Sequence, residues 1–382
     1  MRTSLSPTFM STGKLKRMTP LILECVDTMN DTIDNIIASS NGILSAPVDV
    51  KRVTGAYAME STIQMTFSRK VSALDDPNNP IIENVRKIHK NSLLSLVKLS
   101  TIMLAPYVAR MLRISQFDSK VTQFFSDFTL NLIDERKRVS ETESAVKKVD
   151  FLQLMLDSMR DNNNQAIDGS DDYTDSKGGE KYGEIRATAG MRDKGLSHDE
   201  IIAQCVMNLI SGYDSISATI SICLYSIAKH PEVQQTLYEE INTFYEQKKS
   251  MADIYESLNA MNYMNAVVDE TIRLYQGSKI ERIPSVDYVL KGTGITIKKG
   301  HVVQIPTYAM HRDPANFADP EAFRPERFLP ENKAHNPYTY LPWGAGPRSC
   351  MGMQMVKWLV KLALVSLVHR YVFHTTELCS SN

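Results

Sequence analysis

The sequence predicts a mainly α fold with one small β region. Three observations carry this. Apolar residues recur at helical spacing through most of the chain. One such run, from Ser197 to Lys229, is about thirty residues long and mostly apolar, which predicts a helix through the centre of a domain. Strand-like alternation is confined to residues 286–305, where short apolar runs are separated by Gly292, Gly294 and Gly300.

Composition bounds what this fold can do. The 382 residues, 43% hydrophobic, are enough for a large core in one big domain or two ordinary ones. A net charge of −1 argues against a nucleic-acid binder. The five cysteines, Cys25, Cys205, Cys223, Cys350 and Cys379, are scattered and odd in number, so no disulfide framework is implied and a reducing compartment fits. The eight histidines form no HExxH or Cys/His cluster, which argues against zinc. No run reaches the ~18 apolar residues of a membrane span, and the N-terminus is not a signal peptide.

Taken in order, residues 13–38 place Leu15, Met18, Leu21, Ile22, Val26, Met29 and Ile33 on one helical stripe. Residues 47–70 read as a second helix. Residues 93–113 are unusually apolar and broken by Pro106, which by itself reads as a buried helix pair. Helices follow near 117–137 and 149–159. Residues 160–196 are polar, Gly-rich and aperiodic, and read as a flexible surface loop. The long helix then starts on a Ser197/Glu200 capping box and is stopped by Pro231 in the next helix's first turn. In its middle sits Ser211-Gly212-Tyr213-Asp214-Ser215. An acid and a hydroxyl in a buried helix, beside a helix-weakening glycine, predict either a Gly-kinked core helix or a local opening for water or a ligand. Residues 253–275 form another helix, in which Glu270 and Arg273 share one face among Val267, Val268, Ile272 and Leu274. That surround makes the pair a candidate for buried, structural use. A last helix spans 353–369.

The densest chemistry lies just before that last helix. Trp343, Gly344, Gly346, Arg348, Cys350 and Gly352 fall within ten residues. The two loop glycines allow tight turning and close approach to a ligand plane, and Gly352 admits the same plane at the helix start. Cys350 sits at the helix N-terminus, where a thiolate is stabilised. Arg348 is placed to pair with an acidic group on a flat ligand, and Trp343 offers an apolar wall.

This loop resembles the haem-thiolate signature of the cytochrome P450 family, aromatic-Gly-x-Gly-x-Arg-x-Cys-x-Gly, with every fixed position filled and Trp where Phe is commoner. The resemblance covers nearly all of the chain except 160–196. It extends to SGYDS, similar to the family's Ala/Gly-Gly-x-Asp/Glu-Thr oxygen groove with Ser215 in place of Thr, and to Glu270-x-x-Arg273 with Arg327 of FRPERF as its partner. It is closest to the microsomal branch that holds drug- and steroid-oxidising enzymes and thromboxane synthase.

The resemblance implies a single P450 domain over 1–382, a helical bundle around haem with a small β region at 276–312. It implies haem b ligated by the Cys350 thiolate. Arg348, Arg282 and Arg2 would neutralise its propionates, Arg2 by alignment with the family's Trp-x-x-x-Arg; a lone N-terminal Arg is otherwise a solvated charge. Asp214 and Ser215 would relay protons, and 93–113 would roof the substrate pocket and touch a membrane surface. Electrons would come from NADPH through NADPH-cytochrome P450 reductase, with Lys357 and Lys361 as either reductase contacts or solvated helix charges. The function implied is insertion of one oxygen atom into a lipophilic steroid, fatty acid or xenobiotic on the cytosolic face of the endoplasmic reticulum membrane. Two alternatives stand beside it: a peroxide isomerase of the thromboxane synthase type, and a non-catalytic fragment. The second rests on the expectation that the chain is incomplete at both ends and lacks the anchor of full-length microsomal forms.

Overall fold

The computed structural model describes residues 12–40, 45–74, 76, 79–88, 93–115, 117–140, 150–160, 196–247, 254–277, 279–332 and 335–376. Arg2, Cys379 and all but the two ends of 160–196 lie outside the described residues. The chain divides into two compact units, Met1–Ala218 and Thr219–Asn382, and the boundary falls within one helix.

The first unit is all helix among its described residues. It contains α1 (Thr12–Ala38), α2 (Val50–Phe67), α3 (Pro80–Ile88), α4 (Leu93–Leu104), α5 (Pro106–Met111), α6 (Ser119–Ser140), α7 (Phe151–Arg160) and the first part of α8 (His198–Lys229). The α1 stripe is buried as its spacing predicts, at Leu15, Met18, Ile22, Val26, Met29 and Ile33. Against it lies α2, buried from Val53 to Phe67 although rich in hydroxyls. Several of its polar groups are satisfied locally or by partners, while Ser61 Oγ is buried without one among the described residues. Thr62 and Thr66 donate to Ala58 O and Thr62 O, each at 2.6 Å, and Thr54 Oγ1 meets Ser217 Oγ at 3.1 Å. The buried Glu60 carboxylate accepts from the Val71 and Ala73 N–H groups at 2.9 and 2.7 Å. These bonds remove the cost that unpaired polar groups would carry there.

Helix α8 opens as its sequence predicts. Ser197 N–H donates to Glu200 Oε2 at 2.8 Å and Glu200 N–H to Ser197 Oγ at 3.2 Å. Its interior differs from one expectation. The helix is unbroken through 211–215, with no local opening, and Ser215 Oγ donates back to Ser211 O at 2.6 Å. Asp214 is exposed, so no buried acid forces the ladder apart. Gly212 is there for packing: a Cβ on it would lie 2.6 Å from Thr62 Oγ1 and 2.8 Å from Thr62 Cγ2. The reading of 93–113 as a buried pair also fails. Helices α4 and α5 leave Leu104 86%, Tyr107 80% and Met111 65% exposed, with Leu94, Leu96, Val97 and Leu112 also exposed.

The second unit contains the end of α8, α9 (Pro231–Glu246), α10 (Ile254–Ala260), α11 (Asn262–Tyr275), β1 (Ile280–Arg282), β2 (Tyr288–Val289), β3 (Thr296–Ile297), β4 (Val303–Ile305), α12 (Thr307–His311) and α13 (Met353–Arg370). Strand β1 pairs antiparallel with β4, Glu281 opposite Gln304, and β2 pairs antiparallel with β3. Gly292, Gly294 and Gly300 have φ of 78°, 70° and 83°, the left-handed turns expected of them. The 253–275 helix is in fact two. The break at Met261 is stabilised from outside: the Glu240 carboxylate on α9 accepts from Tyr263 N–H at 2.9 Å and Met264 N–H at 2.8 Å, capping α11. Helix α13 is buried on nearly every face, so it is the core element of this unit.

Gly212→Ala should cost about 1–3 kcal/mol by overpacking against Thr62. Thermal melting should show much of that loss recovered in the Thr62→Ala/Gly212→Ala double variant. An Ala variant that melts like the parent would remove the packing account.

Candidate functional site

The site is built on a buried charge cluster in the second unit. Glu270 and Arg273 are both fully buried. Arg273 Nε and Nη2 donate to Glu270 at 2.7 and 2.9 Å, Arg327 Nε adds a bond at 3.1 Å, and Arg324 N–H another at 2.8 Å. The two arginines expected to share this glutamate do so. One more link runs outward: Arg273 Nη1 donates to His311 O at 2.6 Å, and His311 Nε2 accepts from Leu341 N–H at 3.0 Å.

Leu341 begins the cysteine loop. Tyr340 donates its hydroxyl to Asp269 O at 2.9 Å, and Trp343 O accepts from Cys350 N–H at 2.8 Å, which closes the loop on itself. Gly344 and Gly346 take φ of 71° and 70°, so both turns depend on glycine. A 3-10 turn at Gly346–Arg348 leads to Cys350, and Gly352 caps α13.

Cys350 is exposed, whereas Cys25, Cys205 and Cys223 are buried. Burial pushes the Cys25 and Cys223 thiols up to about 12, and raises Cys205 as well. Among the described cysteines, therefore, only Cys350 is presented to a ligand. Arg348 and Arg282 are exposed too, and among the described residues neither pairs with a carboxylate. Arg282 is brought to this loop by β1: a Cβ on Gly344 would lie 4.0 Å from Ile280 Cδ1, and Ile280 and Arg282 share a strand face. Trp343 is half-buried, and its Nε1 is buried with no hydrogen-bond partner. A soft sulfur donor at a helix start, with two exposed guanidinium groups that pair with no carboxylate among the described residues and a glycine-flattened wall, fits a thiolate-ligated iron in a macrocycle that carries carboxylates.

A family model described as Cytochrome P450 matches residues 1–177 and 181–380. The chain belongs to the cytochrome P450 family. Cytochrome P450 3A6 of Oryctolagus cuniculus is 37% identical over 377 residues, 97% of this chain and 67% of that protein. Cytochrome P450 3A12 of Canis lupus familiaris is 36% identical, covering 98% of this chain and 67% of that protein. Lithocholate 6-beta-hydroxylase of Mesocricetus auratus is 34% identical over 382 residues, 99% of this chain and 68% of that protein. As a P450, the chain is an oxidoreductase of the haem monooxygenase class, with cysteine-thiolate ligation of the iron.

Other expected site residues of this P450 stand as follows. Asp214 is exposed and Ser215 half-buried on α8 in the first unit. Arg2 is outside the described residues. Lys361 is neither a reductase contact nor a solvated charge: it is 3% exposed, and its Nζ donates to Asn259 Oδ1 at 2.7 Å and Asn265 Oδ1 at 3.0 Å. Burial lowers its pKa to about 8. Lys357 is only partly exposed and is paired with Asp269 at 2.7 Å. The correction at Lys361 has a plain cause: α13 is covered on the side where that charge was expected to be open.

Sequence reasoning also missed His311, Asp269 and Tyr340. None belongs to a motif by itself, and only the fold brings them to the loop. The sole sequence signal was position, since Asp269 precedes Glu270 and Tyr340 opens the loop.

His311 carries a pH prediction. Burial, and then the Arg273 charge, lowers its pKa from 6.5 to about 4. The unfolded chain therefore binds more protons between those values, so stability is full above pH 6.5, falls as pH drops from 6.5 to about 4 and levels off below that. The loss attributable to this group is about 3 kcal/mol. Urea unfolding of the parent and of His311→Gln at stepped pH should show the parent losing ground to the variant across that window. Parallel curves would mean that His311 is not held neutral.

Proposed function

We propose that Cys350 is the thiolate ligand of haem b and that the chain is one monooxygenase domain. It would insert one oxygen atom of dioxygen into a lipophilic steroid, fatty acid or xenobiotic, with electrons from NADPH through NADPH-cytochrome P450 reductase. The single observation that carries this is the exposure of Cys350 at the start of α13, within a complete signature, while the other described cysteines are buried.

When bound, thiolate-ligated haem supplies the dioxygen-activating redox chemistry. The chain's own residues do the rest. Cys350 donates its sulfur from a loop clamped at Tyr340 and closed at Trp343. Arg348 and Arg282 would pair the propionates, and Arg2 would share that role by alignment. Trp343 would offer the group an apolar wall, and Gly344, Gly346 and Gly352 would leave room for its close approach. Asp214 holds and passes protons with Ser215, whose hydroxyl is now bonded to Ser211 O and must rotate to serve. This acid-hydroxyl pair favours monooxygenation over peroxide isomerisation, which needs no delivered protons. The exposed apolar faces of α4 and α5 support contact with a membrane surface, which we assign to the cytosolic face of the endoplasmic reticulum. A relative named as a lithocholate hydroxylase supports a steroid-like substrate.

The reduced carbonyl spectrum tests the ligand. The parent should show the far-red Soret band of thiolate-bound haem, and Cys350→Ala should lose it, while Cys25→Ala, Cys205→Ala and Cys223→Ala retain it. A thiolate band in Cys350→Ala would end the assignment. Product formation dependent on reductase separates the monooxygenase from an isomerase that turns over peroxide alone.

Ser215→Ala should divert electrons to hydrogen peroxide. Relative to the parent, the ratio of peroxide released to product formed should rise by about tenfold or more, in line with the usual weight of a positioned proton donor. An unchanged ratio would remove Ser215 from the relay.

A further inference from the structure

One charged group flanks the cysteine loop and is absorbed neither by the loop signature nor by the Glu270 cluster. Asp269 sits on α11, one residue before Glu270, and points away from it. Its Oδ1 accepts from Lys357 Nζ at 2.7 Å, and Tyr340 Oη lies 2.9 Å from its backbone oxygen and 3.3 Å from Oδ1. Tyr340 is ten residues before Cys350 and Lys357 seven after it. One residue on a buried helix therefore grips the chain on both sides of the sulfur.

The energetics favour a real constraint. The side chains of Lys357 and Asp269 are 26% and 20% exposed, so their attraction is only partly screened by water. Lys357 lies in the second turn of α13, and its ammonium is paired with Asp269. Burial, with the adjacent Asp269 carboxylate, holds the Tyr340 hydroxyl protonated and able to donate. Lys361, one turn further on, is committed to Asn259 and Asn265 and is not a substitute partner.

We propose that Asp269 is a positioning residue: with Lys357 and Tyr340 it sets where Cys350 presents its sulfur, through α13 on one side and the loop start on the other. This rests on the reading of Cys350 as the iron ligand and adds to it a device for holding the ligand in place.

The test uses the full chain loaded with haem and four variants: Asp269→Asn, which keeps shape and the backbone acceptor, Lys357→Met, the charge-swapped Asp269→Lys/Lys357→Asp, and Cys350→Ala as control. The first readout is the reduced carbonyl spectrum, taken as the ratio of non-thiolate to thiolate-type complex. Each single variant should raise that ratio by about threefold, the scale expected of a partly exposed ion pair, and the swap should return it most of the way. The second readout is hydrogen exchange of the 340–356 peptides in haem-free protein, which stays readable if a variant loads haem poorly. Protection there should fall in both single variants and recover in the swap.

A parent thiolate band that Cys350→Ala abolishes secures the ligand independently of this network. With that control in place, single variants whose ratio and loop protection both match the parent would overturn the proposal. So would lower melting with an unchanged ratio, or a swap that recovers nothing.

Discussion

The Glu270 carboxylate is the interaction on which the second unit depends. A fully buried charge is costly to desolvate, and it is tolerated only when its lone pairs are filled. Here they are filled by Arg273, Arg327 and the Arg324 N–H group. Arg273 reaches it from the same helix, whereas Arg327 and the Arg324 N–H group reach it from the 325–328 turn, so satisfying one carboxylate fixes α11 against that turn. The Arg273 charge is then spent outward, on the His311 carbonyl. His311, kept neutral by burial, can accept from Leu341 because its Nε2 lone pair is free of a proton. The cysteine loop is thus anchored to a charge cluster it never touches directly.

Beside this path runs the one through Asp269. The two neighbours on α11 face different ways because successive helix residues diverge by about 100°. Glu270 faces the arginines and Asp269 faces α13 and Tyr340. One helix turn therefore holds the loop twice, by a buried network and by a partly exposed ion pair. A sulfur ligand needs such restraint, since its bond to a metal is sensitive to small displacements.

The first unit solves a different problem with similar means. Helix α2 is buried with many hydroxyls, which back-bond within the helix or pair with α8 partners such as Ser217 and Asn208. Close approach is bought at Gly212, where Thr62 occupies the space of a missing Cβ. The exposed apolar α4–α5 face in the same unit contrasts with this economy. It is far more hydrophobic than a solvated surface requires, which is what makes a membrane contact reasonable.

The sequence by itself determined the helices whose signals are local: the Ser197–Glu200 cap, the α1 stripe, the glycine turns of the β region and the Cys350 loop. A hydrogen-bonding cap, a period or a positive φ needs only neighbours along the chain. The burial of Glu270 and Arg273 was also legible, because their apolar neighbours on α11 are close in sequence. Tertiary structure decided the rest. It split 254–275 by placing Glu240 at Met261, kept α8 regular by exposing Asp214, and turned 93–112 outward. It buried Lys361 under Asn259 and Asn265, and gathered Asp269, Tyr340, His311 and Lys357 around the loop. The physical reason is common to these cases. Whether a polar group is costly, neutral or useful depends on the solvent and partners that surround it, and those come from residues tens of positions away.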